Sequence, residues 1–109
     1  MDFSIDVISR PPTVVLAPHG ELDIFTANDV AISLREALDR GCSRIVIDLA
    51  GVSFVDASAL GVFARTHVAV AAQGVSMEFV EVSPQFRRLC AIVRLDDAFG
   101  LTNAPAPTS

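Results

Sequence analysis

Apolar and polar residues alternate at the start of the chain, with Phe3, Ile5 and Val7 set against Ser4 and Asp6. A period of two is that of a strand. Pro11 and Pro12 interrupt it, and an apolar, β-branched run resumes at Thr13 and ends at Leu16. The two runs predict a hairpin or neighbouring strands at a sheet edge, where proline does least damage. His19-Gly20-Glu21-Leu22-Asp23 then reads as a polar turn. Val30, Leu34 and Leu38, with Ala31 and Ala37, recur at helical spacing, so a helix is expected from Thr26, which caps it with Asp29 three residues on, to Gly41. Arg44–Leu49 is almost continuously apolar, as in a central strand covered on both faces. A second helix is expected over Ser58–Gln73, a strand over Ser76–Val82, and a third helix from the cap pair Ser83-Pro84, with Phe86, Leu89, Cys90 and Val93 inward. Residues 102–109 hold no large apolar side chain and are expected to form a disordered tail.

The order of these elements predicts an α/β fold: a mixed β-sheet covered by α-helices, with right-handed crossovers joining the parallel strands. At 109 residues the chain makes one domain, and 51% apolar composition with 19% charge excludes a largely disordered chain. Eight basic residues, all arginine, face 13 acidic ones, giving a net charge of −5 that disfavours nucleic acid as a partner. The absence of lysine removes Schiff-base chemistry and the P-loop lysine. The most apolar stretch, Ala59–Ala72, is broken by Arg65, Thr66 and His67 and is shorter than the roughly 20 residues of a membrane span. The acidic start MDFSIDV does not read as a signal peptide, and Cys42 and Cys90 form no C-x-x-C pair. The expectation is a cytoplasmic domain with two reduced thiols in its core; a disulfide between them is the alternative.

Candidate chemistry is sparse. His19 and His67 stand in different elements with no metal-ligand spacing, and His67 reads as a half-buried packing residue. No dinucleotide, nucleophile-elbow, purine or phosphate motif occurs, so no metal or cofactor is expected. One stretch stands out, Ile45 to Phe63, IVIDLAGVSFVDASALGVF. It leads from a buried strand through Asp56 to Ser58 at a helix start, between Ala57 and Ala59. Serine is a favoured N-cap, which is a sufficient structural reason for Ser58. Its small neighbours also leave the hydroxyl open to another protein. Gly61, in the first turn, costs about 1 kcal/mol against Ala, so either helix–strand packing or a partner needs close approach there. Phe54, Val55, Leu60 and Val62 can fill the core or form an apolar lip around Ser58. A hydrolase or phosphocarrier using Ser58 lacks an assignable base and anion cradle, so the chain is not read as an enzyme.

Gly20-Glu21-Leu22-Asp23, then Asp56-Ala57-Ser58-Ala59-Leu60-Gly61 after VIDLAGVSFV, then SPQFRRLCAIVRLDDAF from Ser83 to Phe99, together resemble the STAS domain of bacterial anti-sigma factor antagonists. The resemblance implies a STAS domain over residues 1–101 and a partner-switching role of the kind found in stress response and sporulation. It also implies a partner that is both anti-sigma factor and serine kinase, and a phosphatase that resets the switch. The family's phosphoacceptor position falls on Ser58, and its acidic positions fall on Asp23 and Asp56. The implied partner surface is Asp23, Asp56, Ala57, Ser58, Ala59, Leu60, Gly61 and Val62, with no nucleic acid or membrane contacted. Two departures from the family pattern stand out: Ala59 stands where many members have Gly, and Gly100-Leu101-Thr102 runs into a Pro- and Ala-containing tail where many members continue into a helix, which is expected to be shortened or missing here. The alternative implied by the same resemblance is a STAS scaffold or transporter-associated regulatory module that acts on no sigma factor.

Overall fold

A computed structural model describes residues 2–101. Its elements run β1 (Ser4–Arg10), β2 (Thr13–Leu22), α1 (Ile24–Asp39), β3 (Arg44–Asp48), β4 (Val52–Val55), α2 (Ala57–Ala72), β5 (Ser76–Val80) and α3 (Pro84–Ile92). The predicted tail lies outside the described residues. β1 and β2 form the expected antiparallel hairpin, turning at Pro11 and Pro12. β2, β3 and β5 are parallel neighbours, so the sheet order is β1-β2-β3-β5 and β3 is central, as its apolar run predicts.

β2 is longer than the sequence suggests. Val14, Leu16 and Pro18 are buried at alternate positions, and the same strand continues through His19-Gly20-Glu21 to Leu22 instead of turning there. The reason is β4, a strand of four residues that the sequence reading missed. It pairs in parallel with the last part of β2, Gly20 to Leu22. The Gly20 N–H donates to the Gly51 carbonyl at 3.0 Å, and the Asp56 N–H to the Leu22 carbonyl at 3.1 Å. The backbone groups of that segment are therefore satisfied as sheet.

The core lies on one face of this sheet. The register aligns Leu16, Ile47 and Phe79 across β2, β3 and β5. These three join Val30 and Leu34 of α1, Leu60 and Phe63 of α2, and Phe86 and Cys90 of α3 in a single apolar cluster. Phe79 is its aromatic centre, with ring centroids 5.5 Å from Phe63, 5.4 Å from Phe86 and 4.8 Å from Phe99. Val46, on the opposite face of β3, lies outside that cluster although only 8% exposed. Its row neighbours are Val15 and Glu78, and the Arg44 Nε donates to Glu78 Oε1 at 2.8 Å over the same face. The helices thus cover one face of the sheet, and on the other face it is adjacent strands that shield Val46, where the apolar run suggests a strand covered on both faces.

The third helix starts as predicted, with Ser83 Oγ accepting from the Phe86 N–H at 3.0 Å and Pro84 following. Phe86 and Cys90 are buried, but Val93 is 37% exposed and ends the helix as its C-cap. After it, Phe99 and Leu101 fold back into the core, and the Arg87 guanidinium donates to the Leu101 carbonyl at 3.0 Å.

Both thiols are free; Cys90 is fully buried and Cys42 half-buried. Burial, reinforced by Asp96, pushes the Cys90 thiol up to about 11 from its ordinary 9.0. The folded state therefore favours the neutral thiol, and stability is lost as pH rises from 9 through 11. At pH 8, a thiol reagent is expected to modify Cys42 in the folded protein and Cys90 only after denaturant is added. Intact-mass spectrometry checks this; equal modification rates would contradict the packing of α3.

Candidate functional site

The paired ends of β2 and β4 set up the site. Leu22 is in register with Val55, so the next residues, Asp23 and Asp56, leave the same end of the sheet side by side. Each begins a helix. Both strand ends leave free helix N–H groups, and a carboxylate is a strong acceptor for them.

Asp23 is the N-cap of α1. Its Oδ1 accepts from the Phe25 and Thr26 N–H groups, both at 2.9 Å. The Asp23 N–H donates in return to Thr26 Oγ1 at 2.9 Å, and the Thr26 hydroxyl donates to the Glu21 carbonyl at 2.7 Å. These bonds, led by that from the Thr26 N–H, hold the Asp23 carboxyl below its ordinary value. Thr26 is therefore not the cap expected from sequence. It is the third helical residue, the returning half of a capping box, and Asp29 is not its partner.

Ser58 is likewise not the N-cap of α2. Asp56 holds that position, and its Oδ1 accepts from the Ala59 N–H at 3.0 Å. Ser58 is the second residue of the helix, exposed, and its hydroxyl donates to the same Asp56 Oδ1 at 2.6 Å. The two candidates stand two residues apart. The strand pairing that ends at Val55 decides between them, because it places Asp56 at the exit from the sheet.

Burial divides the predicted partner surface. Ala57 and Ser58 are exposed, and Asp23, Asp56 and Gly61 are partly so. Ala59 and Leu60 are fully buried, and Val62 is 5% exposed at the floor of the α1–α2 cleft. The Ala59 and Leu60 side chains pack into the core, whereas Val62 also lines that cleft. Val55 is buried as well, so of the expected apolar lip only Phe54 is outside, at 45% exposure. Close by, Ile24 and Phe25 in the first turn of α1 are exposed apolar side chains, Phe25 at 78%. A cap at Thr26 leaves both residues ahead of the helix; a helix capped three residues earlier, by Asp23, turns them outward.

The N-terminus of α2 therefore stands between two clefts. One, of about 500 Å³, is lined by Ile24, Phe25, Asn28, Asp29, Val62 and Arg65. The other, of about 330 Å³, is lined by Phe54, Asp56 and Ala57 on one side and by Arg88, Leu89 and Ile92 of α3 on the other. Gly61 precedes Val62 of the first and lies beside its Arg65. A methyl group there would meet only the Arg65 guanidinium, at 3.8 Å, so helix–strand packing does not account for this glycine.

The histidines are elsewhere. His19 Nε2 is 2.9 Å from Asp6 Oδ2 on the sheet face away from the helices, and its ring leaves no room for a side chain at Gly51. His67 packs on the Phe99 ring at 5.7 Å, as a half-buried packing residue. Among the described residues no cluster of three His, Cys, Asp or Glu could hold a metal ion, and no helix is long and apolar enough to cross a membrane.

Residues 4–106 match the STAS domain. The chain belongs to the STAS domain family. Among relatives of this STAS domain, an anti-sigma F factor antagonist from Paenibacillus polymyxa is 30% identical over 90 residues, covering 82% of this chain and 77% of the relative. An anti-sigma-B factor antagonist from Bacillus subtilis (strain 168) is 28% identical over 102 residues, covering 94% and 93%. Among solved structures, an anti-sigma factor antagonist from Mycobacterium paratuberculosis superposes with a TM-score of 0.74 at 22% identity, covering 90% of this chain and 83% of that one. That likeness confirms the STAS fold.

Proposed function

We propose that this STAS domain is an anti-sigma factor antagonist: it binds a cognate anti-sigma factor in the cytoplasm, releases the sigma factor, and is switched off by phosphorylation of Ser58. The observation that carries the reading is the position of Ser58. Its hydroxyl is exposed at a helix N-terminus between two partly apolar clefts, in a chain related over most of its length to named antagonists. The partner surface is Asp23, Asp56, Ala57, Ser58 and Gly61, together with the exposed Ile24, Phe25 and Phe54.

The switch follows from the local chemistry. A serine kinase, the anti-sigma factor itself in this reading, transfers the γ-phosphoryl group of ATP to Ser58 Oγ. The Oγ–H bond breaks, the bond to ADP breaks, and the proton leaves to a base of the kinase or to water. The product Oγ has no hydrogen left to donate to Asp56. In its place a group of about −1.5 to −2 charge lies beside a carboxylate. The helix N-terminus returns only about 0.3–1 kcal/mol of stabilisation. The fold has no need to change, because Ser58 is exposed. A partner packed over it must bury the dianion or leave. A phosphatase that hydrolyses the ester restores the first state.

A binding role suits the surroundings of Ser58 better than catalysis does. The hydroxyl's side-chain neighbour is a carboxylate already engaged by the Ala59 N–H, and neither histidine is among its hydrogen-bond partners. The test is a release assay on a purified complex of the anti-sigma factor with its sigma factor. Added antagonist is expected to free the sigma factor, whereas the form carrying phosphoserine at position 58 leaves the complex intact. Failure of the unmodified chain to bind or displace would overturn the reading.

Gly61 supplies a second test. Replacing a glycine in a helix at ordinary backbone angles stabilises by about 0.4–1 kcal/mol. Gly61→Ala is therefore expected to raise the unfolding midpoint. If the partner approaches closely at Gly61, the same variant binds it more weakly. Thermal unfolding and partner titration on one preparation separate the two effects; a gain in both would place Gly61 outside the interface.

A further inference from the structure

β1 is an outer strand. It pairs with β2 from Ser4 to Arg10, and among the described residues nothing pairs with its other edge. Six of its seven residues are exposed, including Val7 at 50% and Ile8 at 46%. Natural sheets usually block such an edge with proline, a bulge, lysine or a covering element, because unpaired N–H and C=O groups recruit another strand. β1 holds no proline or lysine and its register with β2 is unbroken; the charged side chains it does carry, Asp6 and Arg10, are of opposite sign.

The charges on this edge are self-complementary. Asp6, Ile8 and Arg10 share the sheet face away from the helices, in line with Ala17, Val15 and Thr13 of β2. The acid and the base therefore sit two residues to either side of Ile8. We propose that two copies of this chain associate by antiparallel pairing of their β1 strands about a two-fold axis at Ile8. Ile8 then faces Ile8, and Asp6 faces Arg10 of the second copy twice over. Asp6 engages His19 through Oδ2, which leaves Oδ1 for the arginine.

Charge selects this register over its neighbours. Centring on Asp6 sets the two carboxylates against each other. Centring on Val7 sets Asp6 against Ile8 and Arg10 against Ser4, with no ion pair. A centre on Ile8 also keeps both helix layers on the same side, because residues opposed in an antiparallel pair point to one face. The main path of four strands, β1-β2-β3-β5, becomes a continuous sheet of eight. Since the two copies run in opposite directions, their Ser58 ends point away from each other. Both stay open, and the pair presents two partner sites.

Sedimentation of the full chain across a concentration series tests this. The mass is expected to rise from 11.6 kDa towards twice that value. Asp6→Arg and Arg10→Asp, each confirmed folded by circular dichroism, are expected to weaken self-association about tenfold or more, since like charges then oppose. Mixing the two variants restores an equimolar pair, because one copy presents two acids and the other two bases. The double variant Asp6→Arg/Arg10→Asp pairs with itself. A wild-type chain that stays at the mass of one copy up to about 500 µM overturns the proposal. So does a wild-type dimer that the single substitutions leave unchanged, or a mixture that stays unpaired.

Discussion

Phosphorylation of Ser58 is expected to weaken binding to the anti-sigma factor about a thousandfold, which is roughly 4 kcal/mol. Desolvating an unpaired dianion at an interface costs several kcal/mol, so one phosphate is enough without a change of shape. Substitutions separate this effect from the helix cap. Asp56 caps α2, so Ser58→Ala removes only an exposed hydroxyl's bond to Asp56. Such a bond contributes about 0.5–1.5 kcal/mol at most. Binding is expected to persist, giving an antagonist that no kinase can switch off. Ser58→Asp places a carboxylate beside Asp56 and is expected to weaken binding partially, because it carries less charge than phosphate. Asp56→Ala has the opposite profile: it removes the cap and costs about 0.5–2 kcal/mol of stability. Partner titration and thermal unfolding of the three variants check the assignment. If Ser58→Ala lost more stability than Asp56→Ala, the capping roles would be reversed.

Phe79→Ala is expected to lower stability by about 3–5 kcal/mol, the range for a large aromatic removed from a core. Phe79 of β5 touches α2 through Phe63, α3 through Phe86 and the chain after α3 through Phe99. The cavity thus opens where three separate segments meet, and none can close it alone. For a domain of about 100 residues this is a fall in midpoint of roughly 15–30 °C. Val46→Ala offers the contrast. Val46 is nearly as buried as Phe79, both 8% exposed, but lies outside the cluster under the helices. Its loss is expected to be about 1 kcal/mol, since solvent and the flanking side chains can refill the space. Comparable losses at the two positions, measured by denaturant unfolding, would mean that the core is not confined to one face.

The contrast also marks where sequence reading runs out. A continuous apolar run identifies Arg44–Leu49 as central, yet flanking strands shield a residue as well as a helix layer does, so Val46 could not report which. The Ser83-Pro84 cap is readable because nothing nearby competes with it. Asp23 against Thr26, and Asp56 against Ser58, are competitions between capping residues two or three apart. The winner is set by where β2 and β4 stop pairing, which is a long-range fact. β4 is hidden for the same reason: Val52, Phe54 and Val55 pair with Gly20–Leu22, some thirty positions earlier. The candidate site was readable as the segment from Asp56 to Val62. Which of its side chains face outward was not, because Ala59 and Leu60 are apolar whether they form a lip or a core.

In the proposed switch, Ser58 is the residue through which a kinase partner is released. The most direct measurement is to incubate the purified chain with its anti-sigma factor and ATP and follow intact mass, phosphosite and complex together. One phosphate is expected, on Ser58, with the complex dissociating as it accumulates and Ser58→Ala remaining unmodified and bound. No phosphate, or a phosphate on another residue while the complex persists, would contradict the account.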